Sequence, residues 1–133
     1  MRDELFLVGR ILFVLVFLTN GIGHLTHTEA SAQYAAYKKV PAARAMVLLS
    51  GVVMLAGTVG VVLGIWMDLA ALALAVFVLA AAFAMHRYWE ESDPQTLVVE
   101  RAQFMKNVSI AGGALIIVAV SANAPYTITD GVF

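Results

Sequence analysis

Along this chain the polar residues do not alternate with apolar ones; they interrupt four long apolar runs, at residues 5–23, 45–67, 69–86 and 108–122. At ~1.5 Å of rise per helical residue, each run reaches across most or all of a ~30 Å hydrocarbon core. The pattern predicts an all-α integral membrane four-helix bundle forming a single domain over residues 1–133. Between the second and third runs stand only Trp66, Met67 and Asp68, so those helices must form a tight antiparallel hairpin. Ala56, Gly60 and Gly64 recur at four-residue spacing, and the third run is rich in alanine. Small residues of this kind let helix backbones approach closely where lipid supplies no hydrophobic drive for association.

The other two connections are longer and patterned. Thr28 is placed to start a short helix reaching about Lys39, which Pro41 then terminates. Ser92-Asp93-Pro94 is a helix-start signal, so the fourth span is expected to begin early, near residue 104 or before. Leu97, Val98, Phe104 and Met105 would then lie in the interface while Glu100, Arg101 and Lys106 meet headgroups or water. Short amphipathic helices are thus expected in the first and third connections.

Composition fits a lipid-embedded chain, with 62% apolar and 13% charged residues against ~25% charged in soluble domains. The net charge of −1 and the lack of a basic block give no footprint for nucleic acid. Cysteine is absent, which removes disulfides, thiolate metal ligands and thiol–disulfide chemistry together. Arg2 and Arg10 beside an apolar stretch, with Ala30-Ser31-Ala32 downstream, imitate a secretory signal. The long polar gap before that site and the spans that follow favour an uncleaved first helix. Lys38, Lys39, Arg44, Arg87, Arg101 and Lys106 crowd the first and third connections, so the positive-inside rule places both termini outside a plasma membrane.

Chemistry concentrates at two levels. Arg10, Phe17, Asn20 and His24 fall within ~80° of arc on the first helix, a stripe that must face the bundle interior or a wet cavity. Near the outer end Arg10 is expected to form a structural ion pair with Asp68 or Asp130. At the other end His24 closes helix one, His86 closes helix three, and Lys106 with Asn107 opens the fourth span; topology brings them to one membrane face. Trp89 follows His86 at i+3, on the same side if that helix continues. Asn20, His24, His86, Trp89, Lys106 and Asn107 could line a pocket of imidazole, amide, ammonium and aromatic groups. Such a mixture suits the planar polar head of a quinone-like molecule whose tail lies in lipid. The bland alternative is that the histidines and tryptophan are interfacial anchors. The histidine and carboxylate spacings do not form a metal motif.

These residues resemble the DoxX family of small four-span membrane proteins over nearly the whole chain. Arg10 followed by an apolar run into Asn20-Gly21-Ile22-Gly23-His24 is similar to that family's first helix. Tyr37 with Val40-Pro41-Ala42 resembles its first connection, and Gly51, Gly57, Leu63 and Gly64 its second helix. His86, Trp89, Asp93-Pro94, Phe104, Lys106-Asn107 and Gly112-Gly113 are the most specific match, and residues 125–130 resemble its terminal segment. The resemblance implies a redox-associated membrane subunit, in contact with quinone and a partner oxidoreductase. Family members commonly carry glutamate where Met54 stands and lysine where His24 stands, so an ion pair of that kind is missing here.

The leading expectation is a membrane subunit that binds a quinone and passes reducing equivalents for a partner enzyme. No intrinsic cofactor is expected, because the chain has no flavin, nucleotide or haem fingerprint. The alternatives are a non-catalytic anchor or assembly subunit, with a redox enzyme or a second copy as partner, and a lipid or small-molecule carrier.

Overall fold

The computed structural model describes residues Met1–Phe133 and is entirely helical. Five α-helices follow in order: α1 Arg2–Thr26, α2 Thr28–Tyr37, α3 Ala43–Leu63, α4 Met67–Met85 and α5 Pro94–Val120. Four of them, all but α2, are long and apolar enough to cross a membrane. Leu12, Leu15, Val52, Val76, Phe83 and Ile116 are exposed on their outer faces, where lipid would cover them. The core inside runs from Val14 and Phe17 on α1 through Met54 and Val61 to Leu74, Val78, Ala111 and Ile117.

Helix α1 packs chiefly on α3, α4 on α5, and the α3–α4 hairpin joins the two pairs. Glycines set these approaches. A Cβ on Gly21 would lie 2.9 Å from Leu55, and one on Gly51 would lie 2.7 Å from Leu25, so α1 and α3 meet through both. A Cβ on Gly60 would sit 2.5 Å from that of Ala70, which brings the α3 and α4 backbones together. Gly57, whose Cβ would strike Leu74, does the work expected of Ala56, which faces outward.

Helix α3 ends four residues before its apolar run does. Gly64 adopts φ +65° as the C-cap, and Trp66 at φ +41° completes the turn, so Met67 already belongs to α4. Helix α5 starts at Pro94, with the Asp93 carboxylate accepting from the Thr96 N–H at 2.8 Å, as a proline-opened helix should. The third connection therefore holds no separate amphipathic helix. It holds a 3-10 turn, Tyr88–Glu90, and the first turns of α5 itself. In the first connection α2 is a distinct helix, seated on α3 through Ala32, Ala35 and Val47.

At the end bearing the termini, Arg10 and Asp68 are both buried but do not pair. The Arg10 guanidinium donates to the carbonyls of Val61 (2.8 Å) and Val62 (2.5 Å) at the end of α3, and of Pro125 (2.7 Å) and Tyr126 (3.2 Å) in the tail. Asp68 accepts from the N–H groups of Leu69 (2.8 Å), Val132 (2.5 Å) and Phe133 (2.9 Å). Asp130 is exposed and forms no ion pair. The expected Arg10 ion pair with Asp68 or Asp130 is thus replaced by two main-chain clamps. Helix ends leave carbonyls and N–H groups without intrahelical partners, and the dipole favours a cation at the C-terminus of α3 and an anion at the N-terminus of α4.

Candidate functional site

From the opposite end a cavity of about 840 Å³, open on one side past Val76, runs between the spans as far as Leu69 at the start of α4. Its walls are mostly apolar, from Val16 and Phe17 on α1, Met54 on α3, Phe77 on α4 and Ile110 on α5. Asn20, His24, His86, Lys106 and Asn107 also line it, so five of the six residues expected at the site are brought together. Tyr34 and Ala35 from α2 close one side. A volume of this order, with apolar walls and a few convergent polar groups, is typical of small-molecule sites.

The polar groups reach the cavity from three elements, Asn20 and His24 from α1, His86 from the end of α4, and Lys106 and Asn107 from α5. His24 lies in the last turn of α1, where its Nδ1 is 2.7 Å from the Ser50 hydroxyl on α3. Ser50 in turn donates to the Val47 carbonyl at 2.8 Å. Asn20 lies one turn deeper, exposed and without a hydrogen bond to protein. Asn107, on α5, is only 8% exposed as a residue, but its amide makes no hydrogen bond to protein because its polar atoms open onto the cavity. An amide in that position is free to meet water or a ligand in the cavity. Lys106 is exposed, and its ammonium is hydrogen-bonded to Gln103.

Trp89 is not part of this site. Helix α4 stops at Met85, and His86 turns the chain at φ −120°, ψ 54°, so the i+3 relation to Trp89 no longer holds. The indole instead sits half-exposed among Phe83, Tyr88 and Phe104, with ring centroids 6.3, 5.2 and 5.7 Å away. That cluster braces the connection between α4 and α5.

Glu100 is the residue that sequence reasoning placed in headgroups or water and the structure buries. It is 7% exposed, and its two oxygens are shared between the Lys38 ammonium of α2 (2.7 Å) and His86 Nδ1 (2.8 Å). Lys38 also lies 3.7 Å from Glu91, and its carbonyl accepts from Arg87 at 3.0 Å. A buried carboxylate is tolerated when paired and hydrogen-bonded in this way. Burial pulls the Lys38 pKa down, but the hydrogen bond to Glu100 and the charges of Glu100, Glu91 and Tyr34 outweigh it and hold the ammonium above the usual lysine value. The only hint in the sequence was that Asp93 and Pro94 start α5 early, which puts Glu100 two turns inside a helix facing α4. No three His, Cys, Asp or Glu side chains converge as a metal ion would need.

Comparison with known proteins agrees with the architecture. The family model described as DoxX matches residues 5–87. The Escherichia coli K12 inner membrane protein YqjF is 32% identical over 130 residues, covering 96% of this chain and 92% of that protein. The inner membrane protein YphA of the same organism is 28% identical over 116 residues, covering 87% and 82%. No solved structure matches.

Proposed function

Because the chain belongs to the DoxX family of membrane proteins, we propose that it is a redox-associated subunit of the plasma membrane whose cavity binds a quinone-like ligand. The supporting observation is the cavity itself, where the Asn107 amide, open to the cavity and without a protein partner, shares apolar walls with two imidazoles and a second amide. A planar head with oxygens at opposite edges would find hydrogen-bonding groups on α1, α4 and α5 at once, while an apolar tail leaves between the helices. The side chains include no electron carrier, so in this reading electrons come from a partner oxidoreductase.

The two relatives' inner-membrane placement supports a plasma-membrane location. Lys38, Lys39, Arg44, Arg87, Arg101 and Lys106 all lie at the end bearing the cavity's histidines, and by the positive-inside rule this supports a cytoplasmic position for that end and both termini outside. The test is an organic extract of the detergent-purified protein, analysed by mass spectrometry for quinones beside an unrelated membrane protein. Near-stoichiometric quinone, lost in folded His24→Ala and Asn107→Ala variants, is the expected result. An extract no richer than the control, from protein purified in mild detergent, would overturn it.

A further inference from the structure

The hydrogen bonds around the two cavity histidines fix which ring nitrogen carries the proton. Lys38 places its ammonium 2.7 Å from one Glu100 oxygen, which keeps that group an ionised, acceptor-only carboxylate. His86 Nδ1, 2.8 Å from the other oxygen, must therefore donate. In the neutral ring Nε2 is then bare, and it has no protein partner. His24 repeats the arrangement from α1. The Ser50 hydroxyl has one proton, and it goes to the Val47 carbonyl at 2.8 Å, so at 2.7 Å it accepts from His24 Nδ1. That leaves a second bare Nε2. The Asn20 and Asn107 amides can donate or accept and so take no side, and the exposed Lys106 ammonium gives one of its three protons to Gln103.

We propose that the cavity selects a head group that donates hydrogen bonds, the hydroxyl-bearing quinol form of its ligand in preference to the quinone, with Glu100 acting as the positioning residue that sets His86 for it. This rests on the quinone-like reading above and adds the form of ligand the site takes. At the two imidazoles a quinone carbonyl meets no proton, whereas each quinol hydroxyl offers one. Lys38 and Glu100 hold His86 in the accepting tautomer.

Three probes that share one ring and one short alkyl tail test this: a benzoquinone, its quinol kept reduced under anaerobic conditions, and the quinol's dimethyl ether, which has the oxygens but no donors. Binding to the purified full chain in detergent is measured by titration calorimetry. The quinol is expected to bind about tenfold or more tightly than either of the others, the loss typical when a buried acceptor goes unmatched. In Glu100→Gln, Lys38 still donates to the amide oxygen and the amide NH₂ now donates to His86 Nδ1. That moves the ring proton to Nε2, so the quinol preference should shrink and the quinone should gain. Quinone or ether binding as tight as quinol in the wild-type protein overturns the inference while leaving the quinone-like reading intact. Binding of none of the three overturns both. If Glu100→Gln does not fold, the wild-type comparison alone decides, with folded His24→Phe expected to narrow the quinol preference.

Discussion

Arg10 and Asp68 are both fully buried charges neutralised by main chain, and the geometry of each explains why its residue type matters. The guanidinium fork spans two separate sets of carbonyls, Val61 and Val62 on one side, Pro125 and Tyr126 on the other. A lysine ammonium is a compact charge and cannot reach both sets at once. Arg10→Lys should therefore lose about 1–3 kcal/mol, the cost of leaving buried carbonyls unmatched. Thermal unfolding in one fixed detergent measures it, and a Lys variant as stable as wild type would show that one set of carbonyls contributes nothing. Glycine gives a second residue-scale contrast. Gly60→Ala should cost about 1–3 kcal/mol as an overpacked contact with Ala70. At Gly112 an added Cβ meets nothing, so Gly112→Ala should be neutral or gain up to about 1 kcal/mol of helix propensity. Equal effects at the two positions in the same unfolding assay would remove close α3–α4 approach as the reason for Gly60.

Helix α2 is the element whose position depends on a charge cluster, since Lys38 is the side chain that ties it to Glu100 on α5. Its raised pKa fixes the sign of the pH dependence. The tie is complete below the unfolded lysine value, ~10.4, and is lost as pH rises through the higher folded value. The chain has no cysteine, so Gln33→Cys and Arg101→Cys can carry a spin-label pair across α2 and α5. Their distance should hold steady to about pH 10 and broaden above it, and Lys38→Met should broaden it at neutral pH. A narrow distance in Lys38→Met would mean that the apolar contacts of Ala32 and Ala35 suffice to seat α2. Helix α2 also shows where the sequence was readable. Thr28 to Tyr37, the hairpin at Trp66 and the four spans followed from local signals: apolar run length, proline, capping residues and glycine. The meeting of Asn20, His24, His86, Lys106 and Asn107 around one cavity followed as well, because topology alone sends helix ends to one face. Glu100 did not, because its burial needs Lys38 and His86 to converge from two other elements. Trp89 was misplaced by assuming that α4 continued through His86, and the Arg10 partner by considering only side chains when helix ends offer bare carbonyls.

Across the whole molecule the chain's last residues close the bundle at the end away from the cavity's histidines. The tail after α5 returns over the α3–α4 hairpin, where Ile128 and Thr129 donate to the Gly64 carbonyl at 3.1 Å and Thr129 Oγ1 accepts from the Trp66 N–H at 2.8 Å. Farther along, Val132 and Phe133 satisfy Asp68, while Pro125 and Tyr126 satisfy Arg10. Helix α1 is thereby linked to α3 and to the segment after α5 by one guanidinium. These groups act as a unit, so removing them separately should overcount their worth. Deleting residues 125–133 leaves Arg10 with only the α3 carbonyls and Asp68 with only Leu69. Arg10→Met strips the same tail carbonyls of their donor. If the clamp is one network, the double variant is less destabilised than the sum of the two singles, by about 0.5–3 kcal/mol, as expected for residues that share partners. Strict additivity in reversible unfolding would mean that tail and α1 are held independently. Because Arg10 and the carbonyls it holds do not line the cavity, ligand retention measured by mass spectrometry on the folded fraction of Arg10→Met should match wild type, whereas the cavity variants His24→Ala and Asn107→Ala lose ligand without losing this stability.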